Sequence, residues 1–290
     1  MKSDYSNFRL IVVDNGSNKE EYEHLVSNVE SGVIIKKVQD NCGYVGGVNI
    51  GLREAEKYDP DYFMIMNNDT IIDPKAISFL VEASIRNFDM ALVTGKVYDF
   101  HERNMLQDIG GIMKSQKYLI VESIGANKFD KGQFDVEAER DMIDDIFWLI
   151  PKSIYQSIGE YSPHFFLYSE QGDYARRAIN EGFKLLYTPN AKIWHKGSVT
   201  TGDGNMYAPH VNYWRKKGAI VYRYKHLKRF YFWIYSLKLL ILYTLKASIF
   251  GIQGKKELSV TFYAAFRGVQ DGILWTFNKK EDKGYNPFLK

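Results

Sequence analysis

Tyr62-Phe63-Met64-Ile65-Met66 followed by Asn67-Asn68-Asp69-Thr70 is the stretch that decides how this chain folds. The apolar run reads as a buried strand, and Asn-Asn-Asp-Thr reads as the turn that ends it. Asp69 therefore stands at the C-terminal end of a strand. A carboxylate in that place is what a metal-bound diphosphate requires.

Strand and helix patterns alternate outward from this point. Leu10-Ile11-Val12-Val13 is a continuous apolar run, as in a strand covered on both faces, and Asp14 ends it. Ser17 and Glu20 have the spacing of a capping box, which predicts a helix with Tyr22, Leu25, Val26 and Val29 on its apolar stripe. Val33-Ile34-Ile35 is a second strand, closed by the turn Asn41-Cys42-Gly43, and a helix is expected from about 46 to 57. Asp73-Pro74 reads as N-cap and first residue of the next helix. Further expectations are a strand over 90–97, an apolar run over 143–150, a helix from Ser169 to about Glu181, and two short strands around Leu186 and Ile193. The alternation predicts an α/β fold, a mostly parallel sheet with helices on both faces, in which ligands bind beyond the C-terminal strand ends. Asp14 and Asp69 both lie at such ends.

Charge divides the chain. Residues 205–290 hold 16 Lys and Arg against 4 Asp and Glu, although the whole chain carries only +3. The expected organisation is therefore a body over 1–204 and a basic, aromatic helical tail over 205–290. Phe230 to Ile252 is long enough to span a bilayer, but Lys238 and Lys246 interrupt it. Eight residues apart, they fall about 80° from each other on a helix, so a helix lying in the membrane interface fits better than a spanning one. Arg215, Lys216, Lys217, Arg223, Lys225, Lys228 and Arg229 would face anionic headgroups. A helical subdomain packed on the body is the competing expectation. No module directs the charge toward nucleic acid. The single cysteine, Cys42, excludes an internal disulfide and fits a reducing compartment, and no secretory leader is seen.

A second acidic station is Phe165-Phe166-Leu167-Tyr168-Ser169-Glu170-Gln171-Gly172-Asp173, followed by Trp194-His195-Lys196-Gly197. Taken in order with Ile11-Val12-Val13-Asp14-Asn15-Gly16-Ser17, with Asn41-Cys42-Gly43-Tyr44-Val45-Gly46-Gly47-Val48-Asn49-Ile50-Gly51 and with Asn67-Asn68-Asp69-Thr70, these motifs resemble an inverting family 2 glycosyltransferase with the GT-A fold. The likeness covers roughly 5–200 and is to the rhamnosyltransferase-like or galactofuranosyltransferase-like branch.

The resemblance implies transfer of a sugar, rhamnose in that branch, from a nucleoside diphosphate donor to a saccharide or lipid-linked saccharide acceptor in cell-surface polysaccharide assembly. The enzyme would be peripheral on the cytoplasmic face of the cell membrane. Asp14 would accept from N3–H of uracil or thymine; Asn41, Gly43 and Asn49 would line the nucleotide; Asn67 would meet the ribose. Asp69 would hold Mn²⁺ or Mg²⁺, with His195 a second ligand or a diphosphate contact. Glu170 would be the general base, with Asp173 as fallback. The glycine spacing excludes a dinucleotide fingerprint. A nucleotidyltransferase would need a basic glycine-rich loop near its first strand, and none is seen. Two features depart from the family pattern. Gln171 stands where a second acid is common, and the chain opens at the lead-in to what is normally the second strand. The competing function is a non-catalytic, saccharide-binding relative.

Overall fold

A computed structural model describes residues 3–197 and 207–289. The expected boundary at 204/205 lies outside the described residues. The chain divides into two compact units: one takes residues 1–112, 121–161 and 174–197, and the other takes 113–120, 162–173 and 198–290. The second unit therefore includes more than the basic tail.

In the first unit, β1 (Ile11–Asn15) pairs in parallel with β2 (Ile34–Val38) as a separate two-stranded sheet. Helix α1 (Lys19–Asn28) lies between them in sequence, and α2 (Gly43–Glu56) follows. The capping box falls one residue later than the sequence suggests. Asn18 is the N-cap, accepting from the Glu21 amide at 2.9 Å, and the Glu21 carboxylate accepts from the Asn18 amide at 3.3 Å. The reason is Gly16, whose positive φ of 84° spends an extra residue on the turn out of β1. β1 is also only half-buried apart from Asp14, where a strand covered on both faces was expected. Among the described residues β2 is its only partner, so its other edge is unpaired.

The main sheet has the order β3 (Tyr62–Met66), β10 (Phe147–Pro151), β5 (Ala91–Asp99), β11 (Lys184–His195), β4 (Thr70–Ile72). Short strands β6 (Leu106–Asp108) and β9 (Ala138–Arg140) pair with β5 and β11. The sheet is mixed rather than mostly parallel. β10 runs antiparallel to both β3 and β5, and only β5 and β11 run parallel. The irregular stretch before 143 is long enough to bring the chain back in the opposite direction, which strand–helix alternation alone does not anticipate.

β11 is one strand of 12 residues where the pattern suggested two. Its register with β5 shifts between Tyr187 and Lys192, around Pro189, which has no N–H to donate to the ladder. At that irregularity a Cβ on Gly95 would stand 2.1 Å from the Ala191 carbonyl oxygen, so β5 can pass only as glycine. Helix α3 (Ala76–Arg86) covers the sheet with Ala76, Ile77, Leu80 and Val81, against Val93, Phe147, Leu149 and Ile193. Its start follows an Asp73–Lys75 side-chain turn of 2.9 Å, two residues beyond the expected cap. A short α4 (Lys152–Ile158) follows β10, and β7 (Gly111–Ser115) and β8 (Ile120–Ser123) form a hairpin.

The second unit is built on α6 (Pro209–His226), α7 (Arg229–Ile252) and α8 (Lys256–Asn278). Glycines set the approach of α8 to α6: a Cβ on Gly268 would lie 2.3 Å from Tyr213 O, and one on Gly272 2.8 Å from Ile220 Cβ. Ile220, Phe232, Tyr243, Ala265 and Val269 form the core between the three helices. The opposite side of α7 exposes Phe230, Trp233, Leu237, Ile241, Leu245 and Ile249, at helical spacings of three and four. The helix is long and apolar enough to cross a membrane, and 11% of its most apolar window is buried. The two lysines do not share one outward polar stripe: Lys238 is exposed, whereas Lys246 sits 4.9 Å from the Phe262 ring centre.

Candidate active site

Asp14, the last residue but one of β1, is 4% exposed, and its Oδ2 is buried with no hydrogen-bond partner among the described residues. Leaving a buried carboxylate oxygen unpaired costs free energy. The residue beside it, Asn15, gathers the next turn. Its Oδ1 accepts from the Cys42 amide at 3.0 Å, and its Nδ2 donates to Gly43 O at 2.8 Å. Asn41 Oδ1 accepts from the Gly43 amide at 2.8 Å, so Asn41 shapes the entry to α2. Gly43 has φ of 77°, and a Cβ on Gly16 would stand 2.6 Å from the Asn41 amide nitrogen. Two glycines thus let the β1–α1 and β2–α2 turns come together.

Asn49 is not positioned as a nucleotide contact. Its side chain is buried and makes two bonds of 2.9 Å with the backbone of Tyr161, one given and one received. Both ends of its amide are committed, so it fastens α2 to the segment after α4. Tyr161 in turn donates its hydroxyl to Asp145 at 2.9 Å.

Strand pairing assembles the next cluster. β4 runs antiparallel to β11 with His195 opposite Thr70, and β11 runs parallel to β5 with His195 opposite Asp99. The Asn67–Asp69 turn leads into β4, so the end of β11 meets it. His195 Nε2 lies 3.1 Å from Asp69 Oδ1 and 3.5 Å from Asn67 Nδ2. Thr70 donates to Asn67 O at 2.6 Å, and the Lys196 amide donates to Asp69 O at 2.9 Å, so the turn is held from both sides. Behind His195 stand Gln107 and Asp99, which sequence reasoning missed: Nδ1 lies 2.9 Å from Gln107 Oε1. The Glu102 backbone amide, then Gln107 and His101, hold Asp99 below the usual carboxylate range against its partial desolvation.

One carboxylate and one imidazole facing each other at this distance are a donor pair suited to Mn²⁺ or Mg²⁺, imidazole favouring the former. Among the described residues no group of three or more His, Cys, Asp and Glu side chains converges.

The second unit holds the other acidic station. Glu170 is the first residue of α5 (Glu170–Asn180) and is 4% exposed. Tyr168 and Ser169 before it both have left-handed backbones, with φ of 70° and 74°. Consecutive non-glycine residues in that region are strained and concentrate at functional positions. Asp173, fully buried, lies 2.7 Å from Lys225 Nζ and 2.8 Å from His226 Nε2, and those partners on α6 occupy it. Arg177 donates to the backbone oxygens of Ile158 and Glu160.

The sequence pattern of glycosyl transferase family 2 matches residues 1–159. The chain belongs to the glycosyl transferase family 2. Among curated proteins it is similar to poly-beta-1,6-N-acetyl-D-glucosamine synthase of Staphylococcus aureus strains COL and N315, each 23% identical over 199 residues. Those alignments cover 68% of this chain and 45% of the relative, so the family 2 chain spans less than half the length of the curated relatives it matches. Among solved structures it resembles GalNAc-T7, determined with UDP, GalNAc and Mn²⁺. The TM-score is 0.52 at 12% identity, over 74% of this chain and 44% of that one. The fold is GT-A, with a mixed sheet, flanking helices and a C-terminal helical region.

Proposed function

We propose that this family 2 protein is an inverting, metal-dependent glycosyltransferase that takes its sugar from a uridine or thymidine diphosphate donor. The facing pair Asp69 Oδ1 and His195 Nε2, 3.1 Å apart at the end of the main sheet, carries this reading. In it, the unpaired Oδ2 of Asp14 accepts the N3–H of the base. The Asn41–Gly43 turn, pinned by Asn15, lies along the nucleotide, and Asn67 meets the ribose. Asp69 and His195 hold Mn²⁺ or Mg²⁺, which when bound neutralises charge on the departing diphosphate.

Glu170 is the proposed base, on the strength of its motif and its place at the start of α5. Its carboxylate takes the proton of the acceptor hydroxyl as that oxygen bonds to the anomeric carbon. The bond from that carbon to the donor phosphate breaks on the opposite face, its electron pair leaving with the nucleoside diphosphate, so the configuration inverts. Asp173 is a poorer base, because Lys225 and His226 already engage it.

The acceptor in this reading is a saccharide or lipid-linked saccharide of a cell-surface polysaccharide. The motif set favours rhamnose as the sugar; the similarity to poly-beta-1,6-N-acetyl-D-glucosamine synthase favours N-acetylglucosamine. A donor panel containing both sugars separates them. Asp69→Ala tests the whole: turnover of every donor is expected to fall by about 10²–10³-fold with an unchanged fold. Normal turnover in that variant would overturn the metal assignment, whereas no turnover and no nucleotide binding in the parent would favour a saccharide-binding relative without catalysis.

The exposed stripe of α7 supports a peripheral contact with the inner face of the cell membrane. Phe230, Trp233, Leu237, Ile241 and Ile249 offer apolar side chains without cover among the described residues. Exposed Lys228 and Arg229 stand at one end of the helix, and Lys255 and Lys256 at the other, placed for anionic headgroups while the helix lies flat. Flotation with vesicles containing anionic lipid is expected to carry the protein up, and salt to release it. Equal behaviour with neutral and anionic vesicles would overturn the electrostatic part, and no flotation with either would overturn the contact.

A further inference from the structure

Gln107 has no place in the reading above, yet its hydrogen bonds leave it only one orientation. Its Nε2 lies 3.0 Å from Asp99 Oδ2 and 2.9 Å from the backbone oxygen of His195. Both are acceptors, a carboxylate oxygen and a carbonyl, so the atom between them must be the amide nitrogen with its two hydrogens. Turning the amide over would set Oε1 against two acceptors. Asp99 is itself fixed, because its other oxygen accepts from the amides of His101 and Glu102 at 2.8 Å each. The Gln107 oxygen therefore faces His195 Nδ1, at 2.9 Å. A carbonyl oxygen cannot donate, so the hydrogen of that contact belongs to Nδ1.

We infer that Gln107, braced by Asp99, is a positioning residue that holds His195 in its Nδ1–H tautomer, so that the Nε2 lone pair points at Asp69. A neutral imidazole carries one N–H; once Nδ1 has it, Nε2 is an electron-pair donor. Its neighbour at 3.1 Å is a carboxylate oxygen, also a donor of electron pairs. In the neutral ring two such atoms converge without a hydrogen between them, an arrangement that a bound cation satisfies. Outer partners of this kind fix ring orientation and tautomer in metal sites, and their loss commonly lowers metal affinity by about 10–100-fold. The role of Gln107 toward a metal rests on the proposed function; the tautomer itself does not.

The test has two readouts, neither of which is turnover. In the metal-free protein with ¹⁵N-labelled histidine, long-range ¹H–¹⁵N spectra at alkaline pH are expected to show His195 with a protonated Nδ1 and a bare Nε2. Finding the proton on Nε2 would overturn the assignment outright, with no variant needed. Gln107→Met, which keeps length and loses both hydrogen-bonding ends, is expected to shift His195 toward the other tautomer and to weaken Mn²⁺ binding, titrated with UDP present, by about 10–100-fold. Wild-type tautomer and affinity in Gln107→Met would overturn the inference. If the parent protein binds no Mn²⁺, the metal reading fails, and the ¹⁵N spectra of parent and Gln107→Met still decide whether Gln107 sets the tautomer.

Discussion

His195 Nε2 stands 3.1 Å from Asp69 Oδ1, although 126 positions separate them in the chain. The antiparallel pairing of β11 with β4 brings them together, since His195 is opposite Thr70, the residue after Asp69. A donor pair built on strand register is rigid, which suits the diphosphate role proposed for it.

Asp14→Asn separates recognition from stability. The substitution removes a buried acceptor that has no partner on Oδ2 among the described residues, so the protein is expected to melt no lower than the parent. Affinity for UDP or dTDP is expected to fall by about 1.5–3 kcal/mol, the range for a hydrogen bond to a charged group. Calorimetry and a thermal melt on the same sample check both. A lower melting temperature with unchanged nucleotide affinity would make Asp14 a structural residue.

Glu170→Gln and Asp173→Ala are expected to fail in different ways. The first loses turnover by about 10²–10⁴-fold with an unchanged melting temperature, as for a group that moves a proton. The second removes the counter-charge of Lys225, and the partner of His226, from a fully buried position, and breaking a buried ion pair costs about 3–5 kcal/mol. Thermal melts beside single-turnover rates distinguish them. A well-folded, inactive Asp173→Ala protein would return that residue to candidacy as the base.

Gly218→Ala probes the strained approach to Glu170. An added Cβ would lie 2.3 Å from the Tyr168 carbonyl oxygen, so α6 or the Tyr168–Ser169 turn must move. A displacement near an ångström at a reacting group can cost about 10²-fold in rate. The expected result is a fall of at least tenfold in kcat with little change in KM for the donor. Parent-like kcat in a folded variant would show that the turn does not depend on this contact.

Buried carboxyl groups give the first unit a pH signature. Burial pushes Asp145 up to about 7, and Asp144 adds to the shift, against hydrogen bonds from Tyr161 and Tyr44. Burial and Asp144 push Asp108 up to about 7 as well. An unfolded chain loses these protons near pH 4, whereas the folded one keeps them until about 7. Their contribution to stability is therefore whole below about pH 4 and is lost as the pH rises to about 7. Asp145→Asn should melt a few degrees above the parent at about pH 7.5 and level with it at about pH 4. The same difference at both values would contradict this account.

Local chemistry was the part legible in the sequence. β3, α5 and α7 fall within a residue or so of their expected bounds, because each has a strong apolar period and a clear stop such as Gly182 or Asn67. His195 ends β11, Asp14 is the last residue but one of β1, and Asp69 stands in the turn between β3 and β4, close to where the apolar runs place them. Register was not legible. Nothing in Lys184–His195 announces one bulged strand rather than two, or that its parallel pairing with β5 brings Gln107 behind the imidazole. Asn49 misled because an asparagine within a glycine-rich turn looks like a ligand contact, and only the fold shows both ends of its amide spent on Tyr161. Nor does the sequence near Asp173 announce Lys225 and His226, over 50 positions away on α6, which engage its carboxylate.

The most direct test of the central claim is calorimetric titration of the purified protein with UDP and dTDP, each with Mn²⁺ and with chelator. The account predicts binding at least tenfold tighter with Mn²⁺, abolished by Asp69→Ala and weakened by Asp14→Asn. Binding of equal strength with and without metal, or none to a folded protein, would contradict it.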